Sequence, residues 1–88
     1  VPFESEEQVL TWANSSPVGL AAYVHTGNID RALRMAERLE VGMTGINSAA
    51  ISNPAAPFGG VKHSGLGREG GSEGIVEYLE TVYVGIPA

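Results

Sequence analysis

Two short apolar runs on either side of one amphipathic stretch constrain this chain more than any other feature of its sequence. Val18–His25 is apolar and of strand length, without strict alternation, as expected for a strand covered on both faces. Thr26-Gly27-Asn28 reads as a turn, and Asn28 or Asp30 as a helix cap. Ile29, Leu33, Ala36 and Leu39 then recur at helical spacing, with Ala32 and Met35 beside them. Arg31, Arg34, Glu37, Arg38 and Glu40 lie mostly on the opposite face, and Gly42 stands past the end as a stop. Met43–Asn47 is a second short strand candidate. Strand, helix and strand with tight connections predict a βαβ unit, its strands parallel and its crossover right-handed.

The flanks are read by their end signals. Ser5-Glu6-Glu7-Gln8 is a capping box, and a helix is expected over 6–15, stopped ahead of Pro17. Residues 48–72 show neither period and hold half of the 12 glycines. Their Ile51, Phe58, Val61 and Leu66 need cover, so an ordered loop laid over a larger body is expected. Ser72 is expected to cap a short helix over 73–79 with Ile75, Val76 and Leu79 turned inward. Thr81–Ile86 reads as a final strand.

Composition narrows the function. There is no Cys, which excludes a disulfide framework, a thiolate zinc site and a Cys nucleophile within these residues. Five basic against ten acidic residues give a net charge of −5 with no Lys/Arg cluster, which argues against nucleic acid as a partner. No apolar run approaches the length of a membrane span, and no signal-like segment opens the chain, so no membrane partner and a cytoplasmic location are expected. The chain starts on Val1, which suggests a piece of something longer or a removed initiator. His25 and His63 stand 38 positions apart with no imidazole at helical spacing from either, so no metal site is expected. Gly65-Leu66-Gly67-Arg68-Glu69-Gly70 fits G-x-G-x-x-G, but no buried strand precedes it and Gly71 delays any helix. A structural Gly-rich loop is favoured over a dinucleotide phosphate loop. Taken alone, Glu69 and Glu80 read as solvated or ion-paired acids, and Phe58 as a loop anchor or a wall of a site.

Pro57-Phe58-Gly59-Gly60-Val61-Lys62-His63-Ser64-Gly65-Leu66-Gly67-Arg68-Glu69 resembles, at every defined position, the C-terminal signature P-F-G-G-x-K-x-S-G-x-G-R-E of the NAD(P)-dependent aldehyde dehydrogenase superfamily. Thr11–Asn14, Gly19–Tyr23, Gly42–Asn47 and Glu77–Thr81 agree with the same family. Ile51-Ser52-Asn53 and Gly65–Gly70 look most like its succinate-semialdehyde dehydrogenases.

The resemblance implies an α/β fragment of that fold: a parallel βαβ unit, a long Gly/Pro-rich loop, a short helix and a C-terminal oligomerisation strand. Residues 1–71 would close the catalytic domain, and 72–88 would lead into the oligomerisation sheet. The activity implied is oxidation of an aldehyde, succinate semialdehyde or a similar one, with hydride transfer to NAD or NADP. The nucleophilic Cys and the cofactor domain would lie upstream, so the chain alone is expected to be inactive. By position, Ser52 would bind the distal carboxylate of the substrate, Phe58 would line the substrate tunnel, and Glu69 would serve a proton relay. The backbone carbonyls of Lys62 and Gly65 match a monovalent-cation site between subunits. Arg68 and Glu80 would pair and brace the last strand in a homo-oligomer. The rival reading is a stand-alone, non-catalytic module that pairs through its last strand.

Overall fold

A computed structural model describes all residues, 1–88. Helix α1 spans Glu6–Asn14. Ser5 Oγ accepts from the Gln8 amide at 3.1 Å, and Gln8 Oε1 accepts from the Glu4 amide at 2.7 Å. The reach back thus lands one residue earlier than a capping box predicts. Two short strands follow, β1 (Val18–Gly19) and β2 (Ala21–Val24). Helix α2 spans Ile29–Arg38, and Asn28, rather than Asp30, is its cap: Asn28 Oδ1 accepts from the Arg31 amide at 3.0 Å. Strand β3 (Met43–Ile46) pairs in parallel with β2, from Ala21↔Met43 to Val24↔Ile46, with α2 between them in sequence.

The run expected as one strand is divided at Leu20 because its two ends take different partners. Strand β1 pairs antiparallel with β4 (Val61–Lys62), inside the stretch expected to be an ordered loop without strands. The Gly19 and Leu20 carbonyls accept from the Gly42 and Met43 amides at 3.0 and 3.1 Å, so the backbone still runs almost unbroken alongside the start of β3. Gly42 is not the helix stop: α2 ends at Arg38. A Cβ at Gly42 would strike the Gly59 carbonyl and stand 2.6 Å from Gly60 Cα. Its glycine is needed for this close approach of two backbones.

The core is small and sits between α1, α2 and the β2–β3 pair. Leu10, Met35 and Leu39 are buried together, with Val9, Ala22, Val24 and Val41 packed partly against them. Ala32 is also buried. The buried stripe of α2 is therefore Ala32-Met35-Leu39, while Ile29 and Leu33 are 69% and 56% exposed. The arginine stripe turns to α1. Glu6 takes Arg31 and Arg34, each at 2.9 Å, and Arg38 forks onto Glu7. Hydrogen bonds from Arg34 and then Arg31 hold the Glu6 carboxyl down at about 2.

The C-terminal elements differ from the sequence reading. The short helix is a 3-10 helix over Gly74–Tyr78, and Ser72 does not cap it. Ile75, Val76 and Leu79 are exposed rather than turned inward. Thr81–Ile86 form no strand within the chain, and all of them are exposed. A strand exists only where its backbone groups pair with an edge, and 81–86 pair with neither of the chain's two sheets. No helix is long and apolar enough to cross a membrane.

Candidate functional site

The signature loop is held in shape by backbone bonds and one guanidinium. Phe58 and Glu69 face each other as an antiparallel bridge: the Phe58 amide donates to the Glu69 carbonyl at 2.6 Å, and the Glu69 amide donates back at 2.8 Å. Between them the chain turns through Gly65 and Gly67, both at positive φ. Arg68 Nη1 donates to the Gly60 and Gly67 carbonyls, both at 2.8 Å, closing the loop across its middle. Beyond the bridge, the Gly71 amide donates to the Pro54 carbonyl at 2.9 Å.

This folding brings three of the candidate residues to one place. Ser52, Phe58 and Glu69 line a cleft of about 300 Å³, completed by Asn53, Pro54, Ala56 and Gly70. The cleft is open, and Phe58 remains 40% exposed, so its wall is presented to whatever stands opposite. Its lining includes the Ser52 hydroxyl, the Glu69 carboxylate and an aromatic ring, Phe58. That set can orient a short polar molecule and move a proton, and it holds no thiol.

Other candidates are placed differently. Arg68 and Glu80 form no ion pair here: the Arg68 guanidinium is engaged by loop carbonyls, and Glu80 is exposed beyond the 3-10 helix. The Lys62 carbonyl accepts from the Gly65 amide at 3.3 Å, so one of its lone pairs is already used within the turn. No group of three or more His, Asp or Glu side chains converges in the chain. The glycine run does not fit a dinucleotide. A two-residue edge strand precedes it, and the helix after it is only the five-residue 3-10 turn.

Three contributors were not legible in the sequence. Leu20, Glu77 and Tyr78 line a second cleft of about 330 Å³, which shares Phe58 and Glu69 as a common wall. A Cβ at Gly67 would lie 2.8 Å from a Glu77 carboxylate oxygen. Position on the 3-10 helix decides this closeness, and no local pattern announces it.

The family described as "Aldehyde dehydrogenase family" matches residues 1–84. A succinate-semialdehyde dehydrogenase of Paenarthrobacter nicotinovorans is 58% identical over 84 residues, 96% of this chain and 19% of that protein. A 3-sulfolactaldehyde dehydrogenase of Pseudomonas putida is 56% identical over 82 residues, 93% of this chain and 17% of that protein. Among solved structures, an aldehyde dehydrogenase from Brucella melitensis biovar abortus 2308 superposes with a TM-score of 0.88 at 58% identity, covering 93% of this chain and 17% of that one. The chain thus spans less than a fifth of the length of these relatives.

Proposed function

The chain belongs to the aldehyde dehydrogenase family, and from that premise we propose that it is the C-terminal part of an enzyme oxidising a short, anionic aldehyde. Succinate semialdehyde is the favoured substrate, with NAD or NADP as hydride acceptor. The cleft that gathers Ser52, Phe58 and Glu69 carries this reading. The names of the two relatives support it, since each joins an aldehyde to an acidic group. The stand-alone module is not favoured, because the matching relatives are dehydrogenases.

Within this proposal each residue has a defined task. The Ser52 hydroxyl donates to the distal carboxylate of the substrate, a charge-assisted bond that reads chain length and charge together. Phe58 packs against the methylene chain, limits its orientations and keeps water from the reacting carbon. The Glu69 carboxylate takes up the proton released when water frees the acid product. The nucleophile and the cofactor come from parts of the protein outside these residues, because the chain has no Cys and its glycine run does not fit a dinucleotide.

Residues 1–71 are read as the end of the catalytic domain and 72–88 as the lead into an oligomerisation sheet. Thr81–Ile86 would then become a strand by joining a second copy, which supplies the missing edge. A cytoplasmic location is proposed with it. The test is the full-length protein assayed with succinate semialdehyde and with a neutral aldehyde of equal length, each with NAD and with NADP. Oxidation that prefers the carboxylate-bearing substrate is expected. Absence of cofactor-dependent oxidation of either aldehyde would overturn the reading.

A further inference from the structure

We propose that Lys62 is a positioning residue whose side chain ties the signature loop to the ends of both helices and thereby sets where Phe58 and Glu69 stand. Its Nζ donates to the Asn14 carbonyl at 2.8 Å, the Ser16 carbonyl at 3.2 Å and Glu40 Oε2 at 3.2 Å. An ammonium has three donors, and here each has an acceptor. Two of these are carbonyls at the C-terminal end of α1, where the helix dipole favours a cation. Asn14 knits the same spot to α2: its Nδ2 donates to the Arg38 carbonyl at 2.8 Å, and its Oδ1 accepts from the Glu40 amide at 2.9 Å. Lys62 therefore ends in a cluster that already joins the two helices.

The backbone of Lys62 points the same way. Its φ is 56°, in the left-handed region that residues other than glycine seldom occupy. Such a conformation persists where the surroundings over-determine it. From Lys62 the path to the site is short. Lys62 belongs to β4, and the Gly60 carbonyl two residues back is held by Arg68, the neighbour of Glu69. Glu69 in turn is bridged to Phe58. Besides this tie, the loop is joined to the rest of the chain by the β1–β4 pairing, by the His63 amide donating to the Pro17 carbonyl at 3.0 Å and by the Gly19 amide donating to Ser64 Oγ at 2.9 Å.

The inference rests on the proposed dehydrogenase reading only in its kinetic arm, so two measurements are made on the full-length protein carrying Lys62→Met or Lys62→Arg. Hydrogen exchange is followed at the Phe58 and Glu69 amides, with the Met35 and Leu39 amides as an internal standard for α2. Lys62→Met is expected to speed exchange at the bridge roughly tenfold while the standard stays protected. Lys62→Arg, which keeps the charge and can donate to the same acceptors, is expected to restore bridge protection. In the kinetic arm, Lys62→Met is expected to lower kcat roughly 10- to 100-fold with the KM for NAD(P) unchanged, and Lys62→Arg to recover most of it. Bridge protection unchanged in Lys62→Met overturns the tie. If Lys62→Met loses the standard as well, Lys62→Arg decides: a folded Lys62→Arg whose bridge exchanges like open chain also overturns it. If Lys62→Met loosens the bridge but the wild-type protein shows no dehydrogenase activity, the functional reading falls and the tie stands.

Discussion

From Glu6 to Ile46 the chain supplies its own order over short distances; from residue 48 onward it does not. In the first region two helices have side-chain caps, Ser5 and Asn28, and two strands pair along four positions each. All four buried apolar side chains, Leu10, Ala32, Met35 and Leu39, lie there. In the second region the only elements are a two-residue strand, one bridge and a 3-10 turn, and Val82, Tyr83, Val84 and Ile86 stand exposed. The whole chain has a radius of gyration of 17.5 Å and a long axis of 67 Å. A compact domain of this length would have a radius of about 12 Å. Yet the second region carries Ser52, Phe58 and Glu69, together in one cleft. The candidate site is thus borne by the part of the chain least able to hold itself, as is common for functional loops set on a rigid scaffold.

Four measurements bear on this difference between the two regions. The largest expected effect is in hydrogen exchange of the isolated chain. Amides of Met35 and Leu39 should be protected at least roughly a hundredfold over those of 81–86, which should exchange like open chain. Protection of the tail in a monomer would show that it finds a partner within the chain and would end the comparison. Next comes the core. Leu10→Ala should cost about 2–5 kcal/mol by urea unfolding followed through helix signal, whereas Val84→Ala should leave the midpoint of the isolated chain unmoved. A comparable loss from both would mean that the tail is part of the folded unit.

The third measurement tests the loop region by function. In the full-length protein Ser52→Ala should weaken a carboxylate-bearing aldehyde by about 1.5–3 kcal/mol, read as a raised KM, and barely affect a neutral one. Equal effects on the two would show that Ser52 does not read the carboxylate. The smallest effect is acid titration of the helix pair. The Glu6 carboxyl is lowered from 4.5 to about 2, so its stabilising contribution is fully present above about pH 4.5 and is lost as the pH falls toward 2. Arg34→Gln should move the Glu6 carboxyl resonance titration back toward 4.5. An unchanged titration would show that Arg34 does not hold it.

Much of the first region was legible because its signals are local. Caps at Ser5 and Asn28, apolar spacing on α2 and the strand–helix–strand order are all read within a few residues of where they act. Family membership was legible too, because Pro57–Glu69 is a contiguous motif. Which stripe of α2 is buried was less so: Ile29 and Leu33 have the right spacing, but Ala32 and Met35 are the buried ones. Periodicity gives the existence of a face and not its choice of partner.

Local signals therefore sufficed for the two α-helices, for the strand–helix–strand order between residues 18 and 47 and for the kinship carried by one motif. The meeting of distant segments settled that Val18–Val24 divides between two partners, that Gly42 serves a close approach rather than a helix end, and that Arg68 closes on the Gly60 and Gly67 carbonyls. It likewise decided that Lys62 reaches Asn14, 48 positions away in sequence. The physical reason is common to these cases. A cap or a period is satisfied by neighbours along the chain, whereas a strand edge, a close backbone contact or a cation's set of carbonyls exists only once distant segments have met.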